Sequence, residues 1–416
     1  MNSETNMEIW DVVVIGGGPA GMMAAGRAAQ QGKTTLLLEK NTDLGKKLLI
    51  TGGGRCNVTN NKLEMASLVA SYKGAPKALF SVFSQFNVQD TLDFFHNLGM
   101  ETKEENEGRI FPVSDSAQSV WQALLDFMKS YKVMIQTNAT VTGINKNEEI
   151  MKISTSRGEY FCKSCVLATG GSSRPETGSN GDGLRWLVKL GHTIIDNSFA
   201  LVPIALKDPW VKQLAGVSLK DIKLSIWQEG KKQDSRTGKM LFTHFGITGP
   251  AVLNTSSKVG ELLQYGEVFL ELDLQPELDQ GALKEELHNL LTSESNKKIK
   301  NSLNKLVPSA LVKVILSLSE TDPEKENHSI TREERSRILR LIKGFPLSVK
   351  NLLGADKAVV SSGGVSIDEV DFKTMQSRII SGLYLVGDVL NIDRPSGGYS
   401  LQLCWSTGFV AGNSIP

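Results

Sequence analysis

One stretch near the start of the chain, WDVVVIGGGPAGMMAAGRAAQQGKTTLLLEK, restricts the fold more than any other. Residues 11–15 are a β-branched run of the kind that forms a strand buried on both faces. Residues 16–21 form a glycine-rich turn, and residues 20–31 are rich in helix formers. A second apolar strand over 34–38 ends on Glu39. This order of strand, turn, helix, strand and acid predicts a dinucleotide-binding βαβ unit.

The turn carries three glycines at the spacing G-x-G-x-x-G, namely Gly16, Gly18 and Gly21. Such glycines permit a tight turn, a close approach of pyrophosphate to the backbone, and close packing of helix on strand. The helix that starts at Pro19 and Ala20 points N–H groups and its positive dipole end at that phosphate. We assign these five residues to cofactor binding.

Glu39 lies about 20 residues beyond the turn, where an acidic side chain binds ribose hydroxyls and repels a 2′-phosphate. A glycine-rich turn that only packs a helix onto a sheet is the alternative. The acid at the tip of the second strand favours the nucleotide site.

Length and composition are those of a globular protein with roughly two or three domains. The chain has 416 residues, of which 40% are apolar and 22% are charged. Its 46 Lys and Arg against 45 Asp and Glu give a net charge of +1, so no global field attracts nucleic acid or an anionic membrane. The first eight residues are polar and no run is long enough to span a membrane, which predicts a cytoplasmic location. Four scattered cysteines do not make a disulfide framework.

The segment after Glu39, residues 41–60, has three consecutive glycines and few residues that can pack. It predicts a loop whose backbone closely approaches a flat or charged group. Lys46 and Lys47 can neutralise phosphate, and Arg55 can brace the loop or bind an anion. A surface loop without a ligand is the alternative.

Helical patterns occur near 76–99 and 117–131. Between them, Arg109 precedes two apolar residues and a proline, which makes it a candidate for substrate contact. The alternative is that Arg109 is an ordinary ion-pair partner of an acidic side chain. Alternation over 133–144 and 151–156 predicts a hairpin.

A further strand is predicted over 160–168, and it ends in a second glycine-rich loop, ATGGSSRPETGSNGDG. Ligands of an open α/β sheet bind beyond the carboxyl ends of its strands, so this loop should meet the same crevice as Gly16. Cys162 and Cys165 form a C-x-x-C. They enter a strand instead of opening a helix, which argues against a redox disulfide.

The composition changes twice in the second half of the chain. Short β-rich pieces from residue 197 onward predict a barrel or sandwich. His244 lies among them in FTHFGITGP and is a candidate catalytic residue, with a structural histidine as the alternative. Residues 283–341 predict a helical insert, whose excess of Lys and Arg can touch a polyanion or form a solvated helical face. We favour the interpretation that these Lys and Arg residues form a solvated helical face.

Strand and glycine patterns return near the end of the chain. A strand over 382–386 runs into Gly387 and Asp388, whose carboxylate can take a sugar or ribityl hydroxyl. Gly398 and Tyr399 open the last helix, whose N-terminus favours the negative charge of a reduced flavin. A plain NAD site needs no second glycine-rich helix start, so these residues favour FAD as the cofactor.

Eight segments together carry a resemblance to a known family: GGGPAGMMAA, TGGGRCNVTN, GRIFPVS, ATGG, GSNGDG, LFTHFGITGP, GGVSIDEVDFKTMQS and GGYSLQLCWSTGFVAG. Over nearly its whole length the chain resembles the bacterial YhiN/BaiN flavoproteins, an aminoacetone oxidase-like family. The resemblance implies an α/β fold with a Rossmann-like FAD-binding domain of the two-dinucleotide-binding type, interrupted by a β-barrel domain that carries a small helical insert. We expect the FAD-binding domain at 1–194 and 354–416, the barrel at 195–277 and 342–353, and the insert at 278–341.

The resemblance also implies FAD contacts at Gly16, Gly18, Gly21, Glu39, Gly53, Gly54, Arg55, Cys56, Asn57, Gly170, Asp388, Gly398 and Tyr399. Beside these we assign to the cofactor Lys40, Lys47, Val141, Ala168, Thr169, Gly387 and Leu401, and to catalysis His244, Arg109 and Tyr399. Where the family has Glu and Asn, this chain has Asp388 and Ser400, and both keep the ability to form hydrogen bonds. Family members act on unlike substrates, so the resemblance does not identify the reaction.

The sequence is therefore interpreted as that of an FAD-dependent oxidoreductase, which transfers a hydride between flavin and an unidentified small molecule in a crevice between the FAD-binding domain and the barrel. No Ser-His-Asp or metal-ligand clustering is evident, and no metal, membrane or nucleic acid is expected as a partner. A flavin-dependent RNA-modifying enzyme and a non-catalytic flavin-binding regulator remain the alternatives. A single complete fingerprint predicts no dedicated NAD(P)H domain, so a nicotinamide reductant should bind transiently at the flavin face.

Overall fold

The computed structural model describes residues 8–72, 75–172, 175–195, 201–263, 265–353 and 363–416. The chain divides into two compact units, Met1–Ser198 with Val359–Pro416, and Phe199–Ala358. The sequence also predicts a strand over 358–360 and a turn over 361–364, and of these residues 358–362 lie outside the described part.

The helices and strands follow in chain order. The first unit contains β1 (Ile9–Ile15), α1 (Pro19–Gln30), β2 (Thr35–Leu38), α2 (Lys46–Leu49), β3 (Thr59–Asn60), α3 (Met65–Ala70), α4 (Pro76–Phe83), α5 (Val88–Asn97), β4 (Thr102–Glu105), β5 (Arg109–Pro112), α6 (Ala117–Ser130), β6 (Met134–Gln136), β7 (Val141–Asn147), β8 (Ile150–Thr155), β9 (Gly158–Leu167), α7 (Asp182–Lys189) and β10 (Ile194–Ile195). The second unit contains β11 (Ile204–Leu206), β12 (Ser218–Gln228), β13 (Lys231–Phe242), β14 (Gly246–Thr248), α8 (Pro250–Leu253), α9 (Ser256–Leu263), β15 (Phe269–Asp273), α10 (Gln280–Ser293), α11 (Ile299–Ser302), α12 (Ser309–Leu318), α13 (Arg332–Lys343) and β16 (Phe345–Leu352). The first unit then resumes with β17 (Gly364–Val365), β18 (Val370–Asp371), β19 (Gln376–Ser377), β20 (Leu383–Leu385) and α14 (Tyr399–Ser414).

A largely parallel sheet forms the centre of the first unit, in the strand order β18-β19-β20-β9-β1-β2-β6. The strands β20, β9, β1, β2 and β6 are all mutually parallel, so their carboxyl ends share one edge. Val12, Val13 and Val14 of β1 are fully buried, as the β-branched run predicts for a central strand. The hairpin is formed by β7 and β8, whereas residues 134–136 of the predicted hairpin pair with β2 instead.

The first and last helices of this unit pack against each other along their backbones. A Cβ atom on Gly408 of α14 would lie 2.5 Å from the carbonyl oxygen of Ala20, and one on Gly412 would lie 2.5 Å from that of Ala24. Trp405 of α14 is fully buried, and its Nε1 donates to the carbonyl oxygen of Val58 at 2.9 Å. The end of the chain therefore covers the helix of the nucleotide fingerprint.

The second unit is a closed antiparallel barrel in the order β11-β14-β13-β12-β15-β16. Helices α10 to α13 lie between β15 and β16 in sequence, and Leu283, Leu287 and Leu291 of α10 are buried at the spacing of one helical face. These leucines belong to the same apolar core as the barrel strands. The predicted fold class is confirmed, and the finer limits of a helical insert stay a prediction. In the described part of the chain, no helix combines the length and apolar character that crossing a membrane requires.

Candidate FAD site

The fingerprint turn follows β1, which lies between β2 and β9 in the sheet. Gly16 has a φ of 106°, and a Cβ atom there would lie 2.5 Å from the carbonyl oxygen of Ala168. A Cβ atom on Gly21 would overlap the carbonyl oxygen of Gly16. These two glycines are therefore required by packing inside the protein.

Gly18 differs, because no atom lies within 4 Å of the position that a Cβ would take. Its φ of −78° and ψ of −179° suit any residue, so neither backbone nor packing requires glycine here. Gly18 is the N-cap of α1, which has Pro19 at its start and no acidic residue in its first turn. The N–H groups and positive dipole end near Ala20 therefore adjoin open space of the kind that a pyrophosphate needs. On this observation the turn fits the dinucleotide part of FAD.

Glu39 follows β2 and is only 7% exposed. Its Oε2 accepts a hydrogen bond from the N–H of Gly17 at 2.7 Å, and its Oε1 accepts from the N–H and the amide nitrogen of Asn41 at 2.8 Å each. Two carboxylate oxygens have about four lone-pair sites, so capacity remains for a ribose hydroxyl. Lys40 is turned to Asp182, with 3.3 Å between Nζ and Oδ2.

The other residues that were predicted to contact the nucleotide part of FAD lie at the ends of neighbouring strands. The N–H of Ala168 donates to the last carbonyl of β1 at 2.9 Å, Thr169 follows it, and Gly170 has a φ of 70°. Val141 begins β7 and is buried. Just before it, the N–H of Ala139 donates to the carbonyl oxygen of Glu39 at 2.9 Å. These residues thus gather around the carboxyl ends of β1, β2 and β9.

The loop before β3 combines strained backbone with open space. Gly53 and Gly54 have φ values of 69° and 87°, and nothing lies within 4 Å of a Cβ at either position. Cys56 is fully buried at a φ of 61°, which is uncommon for a residue with a side chain. Burial raises the pKa of its thiol to about 12. The glycines leave backbone accessible, and the cysteine acts as a packed apolar group.

Arg55 braces this loop, which was one of its two predicted roles. Its guanidinium forms ion pairs with Glu105 and Asp115 and lies 4.3 Å above the centre of the Phe111 ring. The side chain is thereby committed to protein groups. A cofactor contact at Arg55 would run through its backbone.

Two asparagines join the same loop region to the last helix. The side-chain oxygen of Asn57, in the amide orientation that satisfies both of its ends, accepts from the N–H of Gly398 at 3.0 Å. The amide nitrogen of Asn60 donates to the carbonyl oxygen of Gly397 at 3.1 Å. Asn60 also faces Arg109 across the β3–β5 ladder. The guanidinium of Arg109 pairs with a nearby glutamate, as its alternative interpretation expected.

Tyr399 is the first residue of α14 and is 7% exposed, as is Leu401. The hydroxyl of Tyr72 donates to the carbonyl oxygen of Tyr399 at 2.9 Å, and the two rings meet edge to face with centroids 5.9 Å apart. Burial raises the pKa of the Tyr399 phenol, an effect that a hydrogen bond with Ser71 opposes. Tyr399 is therefore a neutral hydroxyl at physiological pH.

Asp388 follows β20 and joins residues that are far apart in sequence. Gly387, with a φ of 68°, donates its N–H to Oγ1 of Thr407 at 3.0 Å. The carboxylate of Asp388 forms ion pairs with Arg394 and with Lys47, the latter at 3.2 Å between Nζ and Oδ2. Burial on its own would raise the pKa of the Asp388 carboxyl, but the two cations outweigh burial and hold that pKa below its usual range. Asp388 is therefore ionised.

Sequence reasoning missed Arg394, whose side chain is only 1% exposed. The available signal was a charged residue six positions after Asp388, inside the glycine- and proline-containing run NIDRPSGG.

The structure gathers the predicted cofactor residues within the first unit, whereas His244 belongs to the second. It lies exposed with Phe245 at the turn between β13 and β14, where the N–H of Thr243 donates to the carbonyl oxygen of Gly246 at 2.8 Å. Its catalytic role stays a prediction.

A Ser-His-Glu arrangement, which the sequence did not reveal, also occurs in the first unit. Nε2 of His192 lies 3.0 Å from Oγ of Ser377, and its Nδ1 lies 2.9 Å from Oε2 of Glu369. Ser377 is only 5% exposed, and its oxygen already accepts from the N–H groups of Ile379 and Ile380. With its lone pairs occupied, this serine is a structural link and not an accessible nucleophile.

Comparisons with known proteins identify the family of the chain. The model of the HI0933-like protein Rossmann domain matches residues 10–414. The chain is 31% identical over 405 residues to the 3-dehydro-bile acid delta(4,6)-reductase of Clostridium scindens, covering 96% of this chain and 98% of the relative. It is 28% identical over 416 residues to the ribosomal RNA dihydrouridine synthase of Escherichia coli, covering 98% of each.

Among solved structures, the 3-ketosteroid delta1-dehydrogenase of Sterolibacterium denitrificans aligns with a TM-score of 0.55 at 13% identity, over 98% of this chain and 99% of that one. This likeness concerns the fold. The chain therefore belongs to the HI0933-like family, the family of the YhiN/BaiN-type FAD-binding proteins, and it is an FAD-dependent oxidoreductase.

Proposed function

We propose that this oxidoreductase reduces a carbon–carbon double bond conjugated to a carbonyl group in a small molecule. The observation that carries the proposal is the full-length similarity, at 31% identity, to an enzyme named as a delta(4,6)-reductase of a 3-dehydro-bile acid. That name describes the loss of ring double bonds from a molecule with a keto group. The dihydrouridine synthase is likewise named for a ring that has taken up two hydrogens, so the two relatives share a type of chemistry.

Bound FAD supplies a hydride donor and acceptor. In this chain Gly18 and the start of α1 would hold its pyrophosphate, Glu39 its ribose, and Asp388 its ribityl chain. The buried hydroxyl of Tyr399 is the candidate hydrogen-bond donor to the substrate carbonyl, because its raised pKa keeps the proton in place. Arg109 is the candidate for holding the substrate, and His244 for proton transfer.

The partners we propose are a small molecule and, transiently, NAD(P)H at the same face of the flavin. The alternative of an RNA substrate rested on the basic helical insert. Four of its lysines form ion pairs with glutamates there, Lys297 and Lys305 with Glu294, and Lys298 and Lys300 with Glu324. The two glutamates offset half of the charge of these four lysines, which supports a small molecule over a polyanion. A cytoplasmic location stays a prediction.

An anaerobic half-reaction tests the substrate class. Enzyme reduced photochemically to the two-electron level is mixed with a 3-oxo-4,6-diene steroid acid or with 2-cyclohexenone, and the flavin absorbance is followed. We expect reoxidation, and a product two hydrogens heavier by mass spectrometry. The matched saturated ketones should leave the flavin reduced.

Two results would oppose the proposal. Reoxidation by quinones or oxygen but by no conjugated ketone would mean a different acceptor class. Salt-dependent binding of ribosomal RNA, with uridines as the only acceptors, would favour the RNA-modifying alternative.

A further inference from the structure

Asn41 follows β2 and holds one oxygen of the Glu39 carboxylate with two donors. Its backbone N–H and its side-chain Nδ2 each donate to Oε1 of Glu39 at 2.8 Å. Oε2 of the same carboxylate accepts from the N–H of Gly17 at 2.7 Å. Glu39 is only 7% exposed, so protein groups decide the direction of its carboxylate. A rotation of the carboxylate would break at least one of these three hydrogen bonds.

The side chain of Asn41 also reaches residues 175–181, which lie between β9 and α7 and which we call the β9 loop. Its Nδ2 donates to the carbonyl oxygen of Thr177 at 3.0 Å. An amide nitrogen carries two hydrogens, so one serves Glu39 and the other serves the loop. A Cβ atom on Gly178 would lie 2.9 Å from the same nitrogen, which shows that the loop backbone packs directly against Asn41.

Lys40 makes a second link between the end of β2 and the same part of the chain. Its Nζ lies 3.1 Å from Oδ1 of Asn180 and 3.3 Å from Oδ2 of Asp182. The side chains of Lys40 and Asp182 are 28% and 25% exposed, so solvent screens part of their attraction. Both residues that follow Glu39 thus contact the β9 loop or the start of α7.

The order of the strands defines where the β9 loop runs. β1 lies between β9 and β2, and the fingerprint turn follows β1. The three strands are parallel, so their carboxyl ends share one edge. A loop that leaves β9 and contacts residues beyond β2 spans the end of β1. The β9 loop therefore borders the edge at which we place the pyrophosphate and the ribose of FAD.

We propose that Asn41 is a positioning residue for the cofactor, which holds the Glu39 carboxylate in the direction that binds the ribose of FAD and makes the β9 loop part of the cofactor site. Asn41 acts through Glu39. Without Asn41 the carboxylate can turn, and ordering it again at binding reduces affinity. The proposal rests on the assignment of Glu39 to the ribose and is independent of the substrate proposed above.

A double-variant cycle on FAD affinity tests whether Asn41 acts through Glu39. Four apoproteins are titrated with FAD by fluorescence: the wild type, Asn41→Ala, Glu39→Ala and the protein with both changes. We expect Asn41→Ala alone to weaken FAD binding about tenfold, the effect of one hydrogen bond to a charged group. The protein with both changes should stay within about twofold of Glu39→Ala, because the side chain that Asn41 positions is already gone.

Gln89→Ala is the matched control, because Nε2 of Gln89 donates to Oδ1 of Asp93 at 2.9 Å on the exposed face of α5. It should leave FAD affinity unchanged. Urea unfolding shows whether each apoprotein is folded. If Asn41→Ala does not fold, Asn41→Asp decides the question. It keeps the shape, loses both amide hydrogens and places a second carboxylate beside Glu39, so FAD binding should weaken by at least about tenfold.

Hydrogen exchange, followed by mass spectrometry on peptides that span residues 175–181, tests the role of the β9 loop. Bound FAD should slow the exchange there in the wild type, and should slow it less in Asn41→Ala. Exchange that FAD does not change, wild-type FAD affinity in the Asn41 variants, or losses that multiply in the protein with both changes would each overturn the proposal.

The affinity of Glu39→Ala separates two ways in which the proposal can fail. If this variant also binds FAD like the wild type, the ribose assignment fails together with the role of Asn41. If it binds FAD weakly and Asn41→Ala does not, only the role of Asn41 is lost. These measurements use no substrate, so a failure of every conjugated ketone as an acceptor would not affect them.

Discussion

The carboxylate of Glu39 and the backbone N–H of Gly17 are joined by a hydrogen bond of 2.7 Å across 22 positions of sequence. The acid at the tip of β2 therefore fixes the turn that follows β1. The side chain that we propose for ribose recognition therefore also holds the shape of the turn that we propose for phosphate binding.

Replacing Glu39 by Ala should reduce FAD affinity by roughly 10- to 100-fold, since hydrogen bonds to charged groups contribute about 1.5–3 kcal/mol. Glu39→Gln keeps an acceptor for Gly17 and should lose less. Retention of FAD after dialysis, followed by absorbance, measures both variants. Full occupancy in Glu39→Ala would show that the carboxylate does not contact the ribose.

Gly18 and Gly408 should respond differently to alanine. Gly18→Ala meets no neighbouring atom, so the apoprotein should keep its stability or gain about 0.4–1 kcal/mol, while FAD affinity falls at least tenfold because the new methyl group occupies the pyrophosphate space. In Gly408→Ala the methyl group would lie 2.5 Å from the carbonyl oxygen of Ala20, which should cost the apoprotein about 1–3 kcal/mol.

Urea unfolding of the apoproteins and fluorescence titration with FAD separate these two effects. Equal FAD affinity in Gly18→Ala and the wild type would place the pyrophosphate elsewhere.

All four cysteines should be unreactive in the native protein. Each is buried, and burial raises the pKa of the thiols of Cys56, Cys162 and Cys404 to about 12 and also raises the pKa of the Cys165 thiol. A thiol-specific chromogenic reagent at pH 8 should label none before denaturation and four afterwards. Two fast-reacting thiols, or a disulfide within the C-x-x-C of β9, would contradict the reading of that motif as part of a buried strand.

The pair Asp11–Lys163 predicts a dependence of stability on pH. Hydrogen bonds from Lys163 and from Thr34 lower the pKa of Asp11 from 3.8 to about 2. A depressed carboxyl pKa stabilises the fold above the unfolded-state value and loses this effect as the pH falls through the folded-state value. Asp11→Asn should therefore be less stable than the wild type at pH 7, and about half of that difference should be gone at pH 3. Urea unfolding at both pH values measures it, and a difference that does not change with pH would exclude the ionised pair as its source.

The parts of the site that a sequence can predict are those that lie close together along the chain. The strand, turn and helix around Gly16 to Gly21 were predicted because their spacing encodes them locally. The ion pair between Lys47 and Asp388 was not, since 341 positions separate these two residues and no periodic pattern links them. The same holds for β6, because alternation over residues 133–144 predicts a strand without specifying that its partner is β2.

The close packing of α1 on α14 also bears on when the cofactor site can form during synthesis. Gly412 contacts the helix of the fingerprint turn, so a nascent chain cannot complete this contact until residue 412 has left the ribosome. The barrel strands, by contrast, all lie within residues 204–352 and can close while the chain is still growing. The helix α1 is thus translated well before the helix that covers it, and we expect native FAD binding to follow the synthesis of α14.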